Sequence, residues 1–222
     1  MARQSKRLVL QNSIALIVDG KDEKWYIEEV KRRYPCSKFK KMKIKPDLAA
    51  KKKVEDLFNF AKQKSEGNDG FSKIFLIIDM DSILKEASEL ERFKVYYEKY
   101  IGIKRHTLST KKISDYKWME KLTLIINNPC LEFWYLLHHK KTNKFYQNFN
   151  AMEKDLKKVP NLHDYEKSEK YYKEKGSIYD KLKGEIGIST ACNNAEPFDI
   201  GKVQNMGGSE MYKLFEFFPK DK

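Results

Sequence analysis

Apolar positions along the chain come in short blocks that alternate with amphipathic stretches. Residues 14–18, Ile-Ala-Leu-Ile-Val, form a compact run closed by Asp19-Gly20, as expected of a buried strand entering a turn. Residues 22–33 follow with Tyr26, Val30 and Tyr34 at every fourth position, a helical spacing. Residues 38–44 alternate basic and apolar side chains and predict a half-exposed strand. Asp47 is placed to cap the next helix, in which Val54, Leu57, Phe58 and Ala61 share one face. Residues 74–78 are the clearest buried strand and end in Asp79-Met80-Asp81. Residues 85–100 predict a charged helix and residues 122–126 another strand. Asn127-Asn128-Pro129 then opens a helix over 130–139, with proline at its first position.

Four successive strand–helix units predict an α/β fold, a mostly parallel sheet with flanking helices. The functional crevice of such sheets lies beyond the carboxyl ends of the strands, where Asp19, Asp79, Asp81, Asn127 and Asn128 all fall. Residues 1–140 form the expected core, and residues 141–222 an expected helical C-terminal extension. That extension is rich in Lys, Tyr and Glu. It predicts helices near 150–158 and 164–183 and a turn-rich piece over 184–208. A final helix from Ser209, with Met211, Leu214, Phe215 and Phe218 in one stripe, is expected to pack back onto the sheet.

Charge sharpens the chemistry. Residues two apart in an extended chain point to one side, so Asp79 and Asp81 are predicted to face one cavity, with Asp19 joining from a neighbouring strand. Two carboxylates ~5 Å apart repel by roughly 3 kcal/mol at an effective dielectric near 20. A hard divalent cation relieves that repulsion, and Mg²⁺ uses one or two carboxylates plus substrate phosphate oxygens. The expected metal ligands for Mg²⁺ or Mn²⁺ are therefore Asp19, Asp79 and Asp81, in a site for phosphodiester chemistry.

The 222 residues carry 45 Lys+Arg against 32 Asp+Glu, a net charge of +13. Residues 31–53 alone hold eleven Lys/Arg and one acid, Asp47. Such a cluster is the footprint of a phosphate backbone, or a strand edge protected by lysine against aggregation. Lys31, Arg32, Arg33, Lys40, Lys41, Lys43 and Lys45 are its nucleic-acid candidates. The Lys/Tyr-rich stretch over 140–183 offers either stacking for unpaired bases or a charged helical face. Cys36, Cys130 and Cys192 are odd in number and lack metal-site spacing, which predicts a reducing cytoplasm. No apolar run approaches the ~20 residues that span a bilayer, so neither export nor membrane insertion is expected. Collagen-like and disulfide-scaffold classes are excluded by the composition.

At the acidic residues the chain resembles a known family. An acid plus Gly after the first strand and Asp-x-Asp after a later one resemble the TOPRIM fold of topoisomerases, primases and metal-dependent nucleases. Val18-Asp19-Gly20-Lys21-Asp22-Glu23-Lys24-Trp25-Tyr26 looks like the opening motif of RloB-like proteins. Residues 128–138, Asn-Pro-Cys-Leu-Glu-Phe-Trp-Tyr-Leu-Leu-His, look like their most characteristic one. Tyr165-Glu166-Lys167 and the closing helix fit more loosely. RloB-like proteins are regarded as TOPRIM nucleases of abortive infection, encoded in prokaryotic defence loci, often beside an ATPase.

The resemblance implies a Mg²⁺-dependent nuclease acting on DNA or RNA, tRNA included, in phage defence. Its acids would be Asp19, Asp79, Asp81 and Glu132, with Glu23 and His138 as further catalytic candidates and Lys167 on the nucleic acid. The TOPRIM pattern has Glu where this chain has Asp19, one methylene shorter, and Asp22 or Glu23 stands one turn on to compensate. The alternative is a catalytically degenerate TOPRIM module that binds nucleic acid or a partner ATPase; an oligomer is compatible with either. Glu132 also suits a helix start, and His138 a helix end, on dipole grounds alone. Cys130 reads as a packing residue.

Overall fold

The computed structural model describes residues 13–45, 53–67, 71–174 and 176–221. Strand β1 (Ile14–Ile17) leads into helix α1 (Lys21–Arg33), the single turn α2 (Ser37–Lys40) and the edge strand β2 (Lys43–Lys45). Helix α3 (Val54–Glu66) precedes β3 (Lys73–Asp79), the turn α4 (Met80–Ile83), the long α5 (Ala87–Lys104) and α6 (Thr110–Tyr116). A 3-10 turn (Lys117–Lys121) enters β4 (Leu122–Asn128), which is followed by α7 (Glu132–Leu137). Helices α8 (Phe149–Leu156), α9 (Glu169–Lys173), α10 (Ile178–Lys181) and α11 (Gly184–Asn194) come next. A short strand β5 (Gly208–Ser209) and α12 (Tyr212–Phe217) complete the described chain.

The strands form one sheet in the order β2-β1-β3-β4-β5. The first four are parallel and β5 is antiparallel to β4. Because both faces are covered, the strands are apolar on both sides, and alternate residues enter two separate cores. Leu16, Phe75, Ile77 and Ile125 meet α1, α7 and α12 on one face. Ala15, Ile17, Leu76 and Leu124 meet α3 and α5 on the other. The predicted stripes of Val54, Leu57, Phe58 and Ala61, and of Met211, Leu214, Phe215 and Phe218, are buried throughout. The second returns the chain to the sheet through Phe218, 5.8 Å from Phe75 between ring centroids.

Four expectations need correction. Residues 38–44 do not form one strand: Phe39 turns into the core against Tyr34, Phe215 and Phe218, which winds Ser37–Lys40 into a helical turn and leaves β2 only three residues. Pro129 does not open α7; it follows a cis bond from Asn128, and the helix begins at Glu132. The predicted helix over 164–183 is two short ones, α9 and α10. The turn-rich stretch over 184–208 begins with α11, eleven residues long. Asp47, Lys51 and Lys52 lie outside the described residues, as does the side chain of Lys45.

Candidate active site

Parallel pairing fixes where the strand ends meet. Ile17 is in register with Leu76, and Asp79 with Asn127, so β1, β3 and β4 finish side by side. Asp19 follows β1, Asp79 ends β3, and Glu23 projects from the first turn of α1. These three acids are neighbours. Burial, and then Glu23, Glu132 and Asp19, raise the Asp79 carboxyl well above the usual range. Burial likewise pushes Glu23 up to about 7, with Asp19 and Asp22 adding to the rise. Glu23 lies within hydrogen-bonding range of Asp79, and two carboxyl groups can bond only when one keeps a proton.

Gly20 leaves the space above this pair open. A Cβ at that position would stand 2.6 Å from Glu23 Oε2. That same oxygen is buried without a hydrogen-bond partner. Asp79 is held from the other side: Asn127 Nδ2 donates to Oδ1 at 3.0 Å and the Leu131 N–H donates to Oδ2 at 3.3 Å.

Glu132 forms a second acidic centre next to the first. It is fully buried, and its Oε1 accepts from Tyr165 Oη and from Lys167 Nζ, both at 2.7 Å. Tyr165 is bonded in turn to Tyr172 at 2.6 Å, and Tyr135 donates to Tyr172 at 3.2 Å. Lys167 also reaches Asp22 Oδ2 at 3.2 Å and sits 4.1 Å above the Phe149 ring. Burial alone would lower the Lys167 ammonium, but Glu132 and Asp22 hold it above its ordinary value. Glu132 is thus neutralised by a cation, while Glu23 and Asp79 face each other.

Other predicted residues fall elsewhere. Asp81 does not follow Asp79 along an extended chain, because α4 begins at Met80; the Asp81 N–H is bonded to the Pro129 carbonyl at 2.9 Å. The charges acting on Asp79 come from Glu23, Glu132 and Asp19 instead. His138 caps the far end of α7, about 9 Å of helical rise from Glu132. It stands edge-on to Trp134, neither ring nitrogen has a partner, and burial followed by His139 pushes it down to about 3. A neutral imidazole sealed in the core has no place in the acid crevice.

The basic cluster also moves. Helix α1 runs back from the acid end of the sheet, so about 15 Å of helical rise separates Glu23 from Arg33. Lys31 donates to the Met42 carbonyl, Arg32 pairs with Glu29, and Arg33 is tied to Asp180 and lies over Tyr179. Lys40, Lys41 and Lys43 are exposed there. These cations line the opposite end of the sheet, beside a shallow depression of Glu28, Lys31, Arg32, Lys40 and Ile44.

Asn127, Asp22, Tyr165 and Lys167 were named from sequence, but not for the parts they play here. The Asn127 amide was visible as a strand-end residue but carried no role; Tyr165-Glu166-Lys167 was visible only as a family-like segment, because the contacts of Tyr165 with Glu132 and of Lys167 with Asp22 and Glu132 exist only through long-range packing. The donor chemistry suits a hard divalent cation: carboxylate oxygens, one of them buried and unpartnered, under a gap that a side chain at Gly20 would fill. Among the described residues no group of three or more His, Cys, Asp or Glu side chains is arranged to hold a metal ion, so the expected triad of Asp19, Asp79 and Asp81 is not assembled. Among them, too, no helix is long and apolar enough to cross a membrane.

No curated protein and no solved structure matches the chain. A family model described as RloB-like protein matches residues 14–217, almost the whole sequence and all of the elements that build the two acidic centres. The chain belongs to the RloB-like protein family.

Proposed function

We propose that this RloB-like protein is a metal-dependent nuclease that cleaves DNA or RNA, tRNA among its targets, in prokaryotic defence against phage. The observation that carries the proposal is the facing of Glu23, with Asp19 beside it in the β1–α1 connection, and Asp79 at the carboxyl end of β3. Mg²⁺ or Mn²⁺ held by the Glu23 and Asp79 carboxylates would supply Lewis acidity and a bound water of lowered pKa. The chain's own groups do the rest. Asn127 and the Leu131 amide orient Asp79. Lys167, anchored on Glu132 and Asp22, is the cation that would meet a substrate phosphate beside the acids. The exposed Lys40, Lys41 and Lys43 offer a separate contact for the backbone.

Purified protein is to be incubated with plasmid DNA and total tRNA in Mg²⁺ or Mn²⁺, beside Asp79→Ala and Glu23→Gln. Cleavage by the wild type that both variants lose supports the assignment, as does loss of phage protection in cells carrying Asp79→Ala. Equal cleavage by all three proteins would remove it. Salt-sensitive nucleic-acid retention without cleavage under any metal would point to a binding module.

A further inference from the structure

The amide that holds Asp79 is itself set by the far end of the chain. Ser209, in β5, is 1% exposed, and its Oγ donates to Asn127 Oδ1 at 2.6 Å. The direction of that bond follows from the other side: Asn127 Nδ2 is spent on Asp79, so the oxygen facing Ser209 is Oδ1, which can only accept, while Oγ also accepts from the Met211 N–H at 3.3 Å. The Ser209 proton thus lies toward Asn127, and an amide whose Oδ1 accepts presents Nδ2 to its other neighbour. That neighbour is Asp79 Oδ1, at 3.0 Å. The pairing of Asn127 with Ser209 across the β4–β5 ladder keeps the two residues opposite one another.

Resting on the site assignment above, we propose that Ser209 and Asn127 are positioning residues for Asp79. The two-residue strand β5 is then a working part of the acid centre, and its role is not limited to closing the sheet. Without the Ser209 hydroxyl only Asp79 itself still holds the Asn127 amide: the amide can flip and turn its oxygen on the Asp79 carboxylate, and the orientation that faces Glu23 is loosened. Groups that orient a ligand carboxylate in this way typically contribute about 10–100-fold to metal affinity or activity.

The test is Ser209→Ala beside Ser209→Thr, which keeps the hydroxyl, with wild type and Asp79→Asn as references. Three quantities are read: kcat and KM for cleavage, Mn²⁺ affinity, and the side-chain amide resonances of Asn127 by NMR. The expected result for Ser209→Ala is a kcat and a Mn²⁺ affinity each lower by about 10-fold or more, a KM within twofold, and displaced Asn127 resonances. Ser209→Thr should restore all three. Unchanged kcat, affinity and resonances in Ser209→Ala would overturn the proposal, as would losses that Ser209→Thr does not restore while both variants melt early. Should Ser209→Ala fail to fold, Ser209→Cys, a poor donor of similar size, takes its place with the same expectations. If Asp79→Asn matches wild type, the site assignment falls and the NMR comparison still decides whether Ser209 orients Asn127.

Discussion

The two acidic centres at the top of the sheet are both built on buried carboxylates, each with one oxygen left without a hydrogen-bond partner, and differ in what stands against the charge. Glu132 is as buried as a carboxylate can be, yet it is matched by Lys167 and by the Tyr165 hydroxyl. Among the described residues Glu23 and Asp79 receive no such cation; burial acts on them first, and then the charges of neighbouring acids, Glu23, Glu132 and Asp19 on Asp79 and Asp19 and Asp22 on Glu23. A matched charge anchors structure, because removing its partner strands it away from water. Facing carboxylates hold a proton or await a cation, so their cost to the fold is the mark of a site. Glu132 belongs with the first kind, and the Glu23–Asp79 pair with the second.

The comparison breaks most sharply at Lys167. Lys167→Met should destabilise the protein by about 3–5 kcal/mol, toward the lower figure because the Lys167 side chain is 37% exposed. Urea unfolding measures it, and a loss below about 1 kcal/mol, the surface-pair range, would put Glu132 in the other class.

Next comes pH. Glu23 is raised to about 7 from an ordinary 4.5, and Asp79 moves the same way, so the folded state binds more protons than the unfolded one across that interval. Stability without metal should therefore be greatest near pH 4.5 and fall as pH rises to 7, by up to about 3 kcal/mol from Glu23. Glu23→Gln should flatten that slope; an unchanged slope would show that the pair is not the source. Smaller is Tyr165→Phe, which removes one donor to Glu132 at about 2 kcal/mol and should leave the pH slope intact. Smallest is the double change Lys40→Ala with Lys41→Ala. It should move stability by less than about 0.5 kcal/mol, while the salt dependence of nucleic-acid binding becomes shallower.

Much of this was legible where the signal is local. Residues 74–78 read as a buried strand because five consecutive apolar side chains need cover on both faces, and β3 extends that run by one residue at each end. The strand ends then located Asp19 and Asp79, since parallel strands must finish on the same side. Alternation at 38–44 misled because it cannot report that Phe39 has a pocket of rings to enter. Asp81 was misplaced for a related reason: two residues share a side only while the chain stays extended, and it stops at Asp79. A charge count along residues 31–53 could not tell which end of the sheet those cations reach; the direction of α1 decides that. A two-residue strand such as β5 has no period to read, and the contact of Ser209 with Asn127 exists only after the chain has returned.

The central claim is that the unmatched pair is where a cation binds. Titration of Mn²⁺ into wild type, Asp79→Asn and Glu23→Gln, followed by electron paramagnetic resonance of the free ion, tests it directly. A single tight ion in the wild type, with affinity lowered at least tenfold in both variants, is the predicted result. Equal affinity in all three would contradict it.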